Sequence, residues 1–203
     1  NPDVDPLTHP YISTGLKANK FGVGHEETLA LYRSARSRRG VEVVGIDCHI
    51  GSQVTELEPY LDATDRLLDL VDAIEGTGTR LKHIDFGGGL GIRYADEEPP
   101  APAALVRAIL QRVDARGVAD RMLMFEPGRS IVGNAGILVT RVEYLKRTDV
   151  KNFAIVDAAM NDQLRPALYE AWMGTVPVQP RPGAAEHYDI VGPICESGDW
   201  LAR

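Results

Sequence analysis

Apolar residues along this chain fall into two rhythms. Val41 to Cys48 is a short, β-branched run of the kind that forms a buried strand. Leu81 to Phe86 and Met122 to Phe125 repeat it. Between these runs the spacing changes. Leu57, Leu61, Leu67, Leu68, Val71 and Ile74 recur as on one helical face, and so do Leu105, Ile109, Leu110 and Val113 within Ala103 to Ala115. Strand and helix alternating at this pitch predict an α/β fold with a parallel sheet, either doubly wound or a (β/α)8 barrel. After Arg129 the pattern shifts. Ile137 to Leu145 alternates, Phe153 to Val156 is short and apolar, and Tyr188 to Ile194 reads as a further strand. Strands without long helices between them predict a separate, mostly antiparallel β-domain. The expected division gives residues 1–133 to the first domain and 134–203 to the second. Two polar, proline-bearing stretches read as loops: Asp96 to Pro102, and Gly174 to Glu186 with Pro177, Pro180 and Pro182.

Composition changes this picture little. The chain has 203 residues, 44% hydrophobic and 25% charged, which is ordinary for a soluble globular protein. A net charge of -7 argues against nucleic acid or an anionic membrane as the main partner. No apolar run reaches the roughly 18 residues of a membrane span. The opening Asn1-Pro2-Asp3-Val4-Asp5-Pro6 lacks the basic-then-apolar order of a signal peptide. Two cysteines far apart, Cys48 and Cys195, suit a reducing cytoplasm. They share no zinc-ligand spacing with the histidines, so no metal site is expected.

The expected strand ends carry the chemistry. His49 closes the first strand, Gly87-Gly88-Gly89-Leu90-Gly91 the second, and Glu126-Pro127-Gly128-Arg129 the third. In barrels, active sites lie at such ends. The glycine run exposes backbone N–H groups that can face a phosphate, but it fits neither the dinucleotide fingerprint nor the Walker pattern. Glu126 can hold a protonated pyridine nitrogen, and Arg129 a carboxylate by a two-pronged hydrogen bond. As a local pair they would instead form an ordinary ion pair. His49 offers a flat face to a flat ring, and Ser52 a hydroxyl to a phosphate oxygen; a structural role for His49 stays open. Arg165 and Tyr169 are spaced to share a helical face and bind a second carboxylate. Gly192-Pro193-Ile194-Cys195-Glu196-Ser197-Gly198-Asp199 gathers a thiol and two carboxylates between glycines.

Taken together, His49-Ile50-Gly51-Ser52-Gln53, the run from Gly87 to Ile92, Glu126-Pro127-Gly128-Arg129 and the Cys195 stretch resemble the diaminopimelate decarboxylases. These are fold-type III enzymes with an alanine-racemase-like barrel, a following β-domain and pyridoxal 5'-phosphate. The resemblance runs along nearly the whole chain. It implies a partial (β/α)8 barrel, with about three of eight strands, followed by part of the β-domain. It implies that meso-2,6-diaminopimelate is decarboxylated to L-lysine, in a cytoplasmic homodimer with shared sites. His49 would stack on the cofactor ring. Ser52, Gly88, Gly89, Glu126, Gly128 and Arg129 would contact the cofactor, with Glu126 at the ring nitrogen. Arg129, Arg165, Tyr169 and Glu196 would bind substrate. Cys195 would reprotonate the α-carbon, and Cys195 and Glu196 would be lent to the neighbouring subunit. The family's cofactor-linked lysine lies in an earlier strand. Leu16-Lys17-Ala18-Asn19 looks like its motif, but the setting from Ser13 to Gly22 matches a later family stretch. The chain is therefore expected to be an internal piece, inactive by itself. The alternatives are a decarboxylase for ornithine, arginine or a polyamine precursor, which would favour Asp after the cysteine, and a non-catalytic binding relative.

Overall fold

The computed structural model describes residues 1–202. The chain forms two compact units. One comprises Asn1–Ile92 with Glu98–Ala135, and the other Arg93–Glu97 with the chain from Gly136 onward. The short Arg93–Glu97 segment packs with the second unit, a detail that a single cut after residue 133 does not anticipate.

In the first unit, β1 (Gly45–Asp47), β2 (His83–Gly88) and β3 (Met122–Glu126) form a parallel sheet in that order. Helices α1 (His25–Arg36), α2 (Glu58–Glu75) and α3 (Pro102–Ala115) separate or precede them. Three consecutive parallel strands side by side, joined through helices, fit a segment of a (β/α)8 barrel or of a doubly wound sheet. The expected strand from Val41 is shorter than its apolar run. Val41 is exposed, and ladder pairing begins only where Gly45 meets His83. A Cβ at Gly45 would lie 2.1 Å from the His83 ring, so the strand starts where a glycine lets that ring in.

Helix α2 is the backbone of this core. Leu67, Leu68, Val71 and Ile74 lie inward on its apolar stripe, against Ile84 of β2 and Ile109 and Val113 of α3. Pro59 sits in the first turn, where its missing N–H costs nothing. Outside the core, Arg112 of α3 and Arg116, which caps it, reach Asp65, Asp69 and Asp72 of α2. Helix α1 was absent from the sequence expectation, because no residue of it is buried. Glu26 and Glu27 in its first turn and Arg33 and Arg36 in its last oppose the helix dipole. Its Tyr32 hydroxyl donates to the Gly45 carbonyl at 2.6 Å, which anchors it to β1.

The second unit is a sheet of β4 (Val142–Lys146), β5 (Phe153–Val156), β6 (Asp189–Val191) and β7 (Trp200–Ala202), in that order. β4·β5 and β6·β7 are antiparallel, but β5·β6 is parallel. Parallel neighbours need a long crossover. Here it contains α5 (Leu164–Tyr169) and the proline-bearing stretch. The core is thin: Val156, Ala158 and Leu201, with Ile190 against them. A four-residue helix, α4 (Arg129–Val132), follows β3. Among the described residues, no helix is long and apolar enough to cross a membrane.

Candidate active site

The C-terminal ends of β1, β2 and β3 meet through backbone, because glycine occupies the contact points. Gly87 has φ +67°, and a Cβ there would lie 2.2 Å from the Cys48 carbonyl oxygen. At Gly88 it would lie 2.1 Å from the Glu126 oxygen, and at Gly89, with φ +99°, 2.1 Å from that of Gly51. No side chain fits at any of these positions without moving backbone. The run therefore does two things: it closes the strand ends, and it leaves a cradle free of side chains.

The N–H groups of the run are not equivalent. Gly87 donates to the Asp85 carboxylate at 2.9 Å, Gly88 to His49 Nδ1 at 3.2 Å and Gly91 to the Val54 carbonyl at 3.0 Å. Gly89 carries no such commitment among the described residues, which makes its N–H the one suited to a phosphate oxygen. Because His49 Nδ1 accepts, its ring proton sits on Nε2, and the ring angle is set by β2. Cys48, next to His49, is a different kind of group. Burial pushes its thiol up to about 12, so it is inert packing.

Three carboxylates gather at the same strand ends. Oxygens of Asp47, Asp85 and Glu126 lie within 4.8 Å of one another. Burial, followed by the like charges of Asp85 and Glu126, pushes the Asp47 carboxyl above its ordinary range. Such a concentration of negative charge favours a cationic N–H beside it. Asp47 and Asp85 have no local cue that ties them to Glu126; their convergence comes from register. Ser52 and Arg129 are brought together as well. The Arg129 guanidinium donates to the Ser52 hydroxyl at 2.9 Å, although the two are far apart in sequence. The hydroxyl retains its own proton for an oxygen acceptor.

The second unit carries the remaining candidates. Helix α5 puts Arg165 and Tyr169 on one face, as their spacing predicts. The Arg165 guanidinium lies 5.2 Å from the ring centre of Tyr94 and 5.5 Å from that of Tyr169. Two aromatic rings thus fix the direction of the cation. Tyr94 was missed, and its only sequence cue is its place just after the glycine run. Cys195 and Glu196 are exposed on the loop between β6 and β7. The Glu196 carboxylate accepts from the Gly198 N–H at 3.1 Å.

Two family models describe this chain. One, "Pyridoxal-dependent decarboxylase, pyridoxal binding domain", matches residues 1–133. The other, "Pyridoxal-dependent decarboxylase, C-terminal sheet domain", matches residues 68–203. The chain belongs to the pyridoxal-dependent decarboxylases. Over its whole length it is 61% identical to diaminopimelate decarboxylase of Pseudomonas aeruginosa, covering 48% of that protein. Diaminopimelate decarboxylase of Helicobacter pylori, solved with L-lysine, superimposes with a TM-score of 0.91 at 42% identity, over all of this chain and 50% of that one. Lysine decarboxylase of Selenomonas ruminantium gives 0.78 at 30% identity, over 92% of this chain and 48% of that one. The chain thus spans about half the length of the relatives it matches. These likenesses bear out the expected partial barrel with a following β-domain, and they assign pyridoxal phosphate as the family's cofactor. The strand ends fit that group: a side-chain-free cradle for the phosphate, an imidazole of fixed tautomer, and a carboxylate cluster for the ring N–H.

Proposed function

We propose that this chain is part of a diaminopimelate decarboxylase, which converts meso-2,6-diaminopimelate into L-lysine and carbon dioxide. Residues 1–133 form the C-terminal part of its barrel, and residues 134–203 part of its β-domain. The observation that carries the reading is the carboxylate cluster and glycine cradle of one unit, accompanied in the other by an exposed Cys195-Glu196 pair and an oriented Arg165. Pyridoxal phosphate, when bound, supplies an electron sink for the pair released when the carboxylate leaves.

The chain's own residues do the rest. Glu126 would accept the cofactor's ring N–H, with the neighbouring Asp85 and Asp47 carboxylates favouring a cationic N–H there. His49, held by the Gly88 N–H, would offer its flat face to the cofactor ring. The Gly89 N–H and the Ser52 hydroxyl would hold phosphate oxygens, and Gly128 would contact the cofactor beside Glu126. Arg129 holds a substrate carboxylate. Arg165 and Tyr169 hold the other. Loss of carbon dioxide would leave the α-carbon in need of a proton, and the Cys195 thiol would supply it. The thiolate regains a proton from solvent. Glu196 pairs with the distal ammonium group. We place this chemistry in a cytoplasmic homodimer, in which Cys195 and Glu196 serve the neighbouring subunit's site.

Glu196 carries the substrate assignment, so Glu196→Asp in the complete protein tests it. The shorter side chain withdraws the carboxylate by about 1.5 Å. A displacement of that order costs on the order of a hundredfold in kcat/KM. The expected result is a loss for meso-diaminopimelate with little change for ornithine or arginine. An unaltered ratio would show that Glu196 does not read the distal ammonium.

A further inference from the structure

We infer that Asp199 is the positioning residue of the Cys195-Glu196 loop, and that it fastens this loop to the segment leading into Arg165 and Tyr169; the inference rests on the roles given above to those side chains. Asp199 is 3% exposed, whereas Cys195 and Glu196 are exposed. Its carboxylate faces backbone on two sides. Oδ1 accepts from the Met160 N–H at 2.6 Å, and Oδ2 from the Ile194 N–H at 2.8 Å. Its own backbone closes the loop twice. The Asp199 carbonyl accepts from Gly192 N–H at 3.0 Å, and the Asp199 N–H donates to the Glu196 carbonyl at 3.0 Å. Four hydrogen bonds therefore join Asp199 to backbone at Met160, Gly192, Ile194 and Glu196.

Gly192 is the complement of this arrangement. A Cβ there would stand 2.3 Å from Asp199 Oδ2. The carboxylate fills the space a side chain would take, and only glycine admits it at that distance. On the far side, Met160 belongs to the turn in which the Asp162 carboxylate accepts from the Ala159 N–H at 2.9 Å. Helix α5 begins immediately after this turn. One buried carboxylate thus couples the loop that bears the thiol to the helix that bears Arg165 and Tyr169. Hydrogen bonds to an ionised acceptor in a nearly dry site are short, strong and directional. They suit a task in which an exposed loop must hold a thiol to within a fraction of an ångström.

The test uses Asp199→Asn in the complete, cofactor-loaded protein. The amide has the same shape but can accept at only one of its two ends, so one of the two backbone donors loses its partner. Two readouts are taken. The first is the alkylation rate of Cys195 by iodoacetamide, followed by mass spectrometry of the peptide that contains it. It should rise about tenfold, the scale of one lost charge-assisted hydrogen bond. The second is steady-state turnover of meso-diaminopimelate. kcat should fall roughly ten- to a hundredfold with KM little changed and cofactor content intact. Unchanged alkylation, or a fall in kcat without a change in alkylation, would overturn the inference. So would altered alkylation with native kcat. Should Asp199→Asn not fold, Gly192→Ala pushes the same carboxylate aside from the opposite face and should give the same two changes. Failure of both variants to fold would make Asp199 a folding residue and overturn the positioning role. A native protein that does not turn over meso-diaminopimelate would refute the functional reading, and the alkylation rate would still decide the loop.

Discussion

The two units hold their candidate site residues by opposite means. In the first, His49, Gly89 and Glu126 stand on strand ends above a dense core in which Leu68, Ile74, Leu81, Ile84 and Ile109 are fully buried. Geometry there is set by packing and by glycines that admit neighbouring backbone. In the second, Cys195, Glu196, Arg165 and Tyr169 lie off a sheet whose core is Val156, Ala158 and Leu201. Its strand β4 is exposed along its length. Precision there comes from a few polar anchors: Asp199 for the loop, Asp162 for the turn before α5, and Tyr94 for Arg165. A well-packed core resists displacement everywhere at once. A polar anchor fixes one point, and its loss is felt at that point. The first unit should therefore fail through cavities, and the second through single missing acceptors.

The largest expected effect lies in the second unit. Cys195→Ala in the complete protein should lower kcat by ~10²- to 10⁴-fold, the range for loss of a positioned proton donor. Folding and cofactor binding should be unaffected, because the thiol is exposed. Stopped-flow measurement of carbon dioxide release checks this, and a loss below about threefold would place the donor elsewhere. Next comes Ile84→Ala in β2, which should remove roughly 2–5 kcal/mol of local stability. Leu201→Ala in the thin core of the second unit should fall at the low end of that range, near ~2 kcal/mol, because its surroundings can close over the gap. Hydrogen exchange across β2 and β7 compares them, and equal losses would erase the distinction drawn between the units.

The smallest effect expected is a pH-dependent one. Burial would raise the Glu75 carboxyl, but hydrogen bonds from Arg121 and from the Leu81 N–H outweigh it and hold the group below its ordinary value. The Arg121 side chain is 7% exposed and that of Glu75 22%, so solvent screens the pair only in part. A depressed folded value means stability that is present above the unfolded value of 4.5 and disappears as pH falls through the lower, folded one. Glu75→Gln should thus cost on the order of 2 kcal/mol at neutral pH. The native and variant stabilities should converge in acid. A difference that persists undiminished at low pH would mean that packing, not charge, accounts for the loss.

Much of this was legible in the sequence where the signal is local. The period of α2 and α3 is sustained by Leu67, Val71, Ile74, Ile109 and Val113, and β5 at Phe153–Val156 is an apolar run with turns on both sides. What was missed depends on distance. Helix α1 buries nothing completely, so its apolar positions make a weak stripe. β7 is three residues long. The convergence of Asp47 and Asp85 on Glu126 follows from strand register, and the role of Asp199 from a bond to Met160 far earlier in the chain. The glycine run was read as a phosphate nest. Its closer duty is to let Cys48, Gly51 and Glu126 backbones approach, a property of three partners that the run itself cannot display.

Substrate choice tests the proposed reaction most directly. The complete protein, loaded with pyridoxal phosphate, should be given meso-diaminopimelate, L-lysine, ornithine and arginine in turn, with carbon dioxide and amine products measured. Carbon dioxide and L-lysine from meso-diaminopimelate, with the other three left intact, is the expected result. Conversion of L-lysine, ornithine or arginine to its diamine faster than meso-diaminopimelate is consumed would contradict the account.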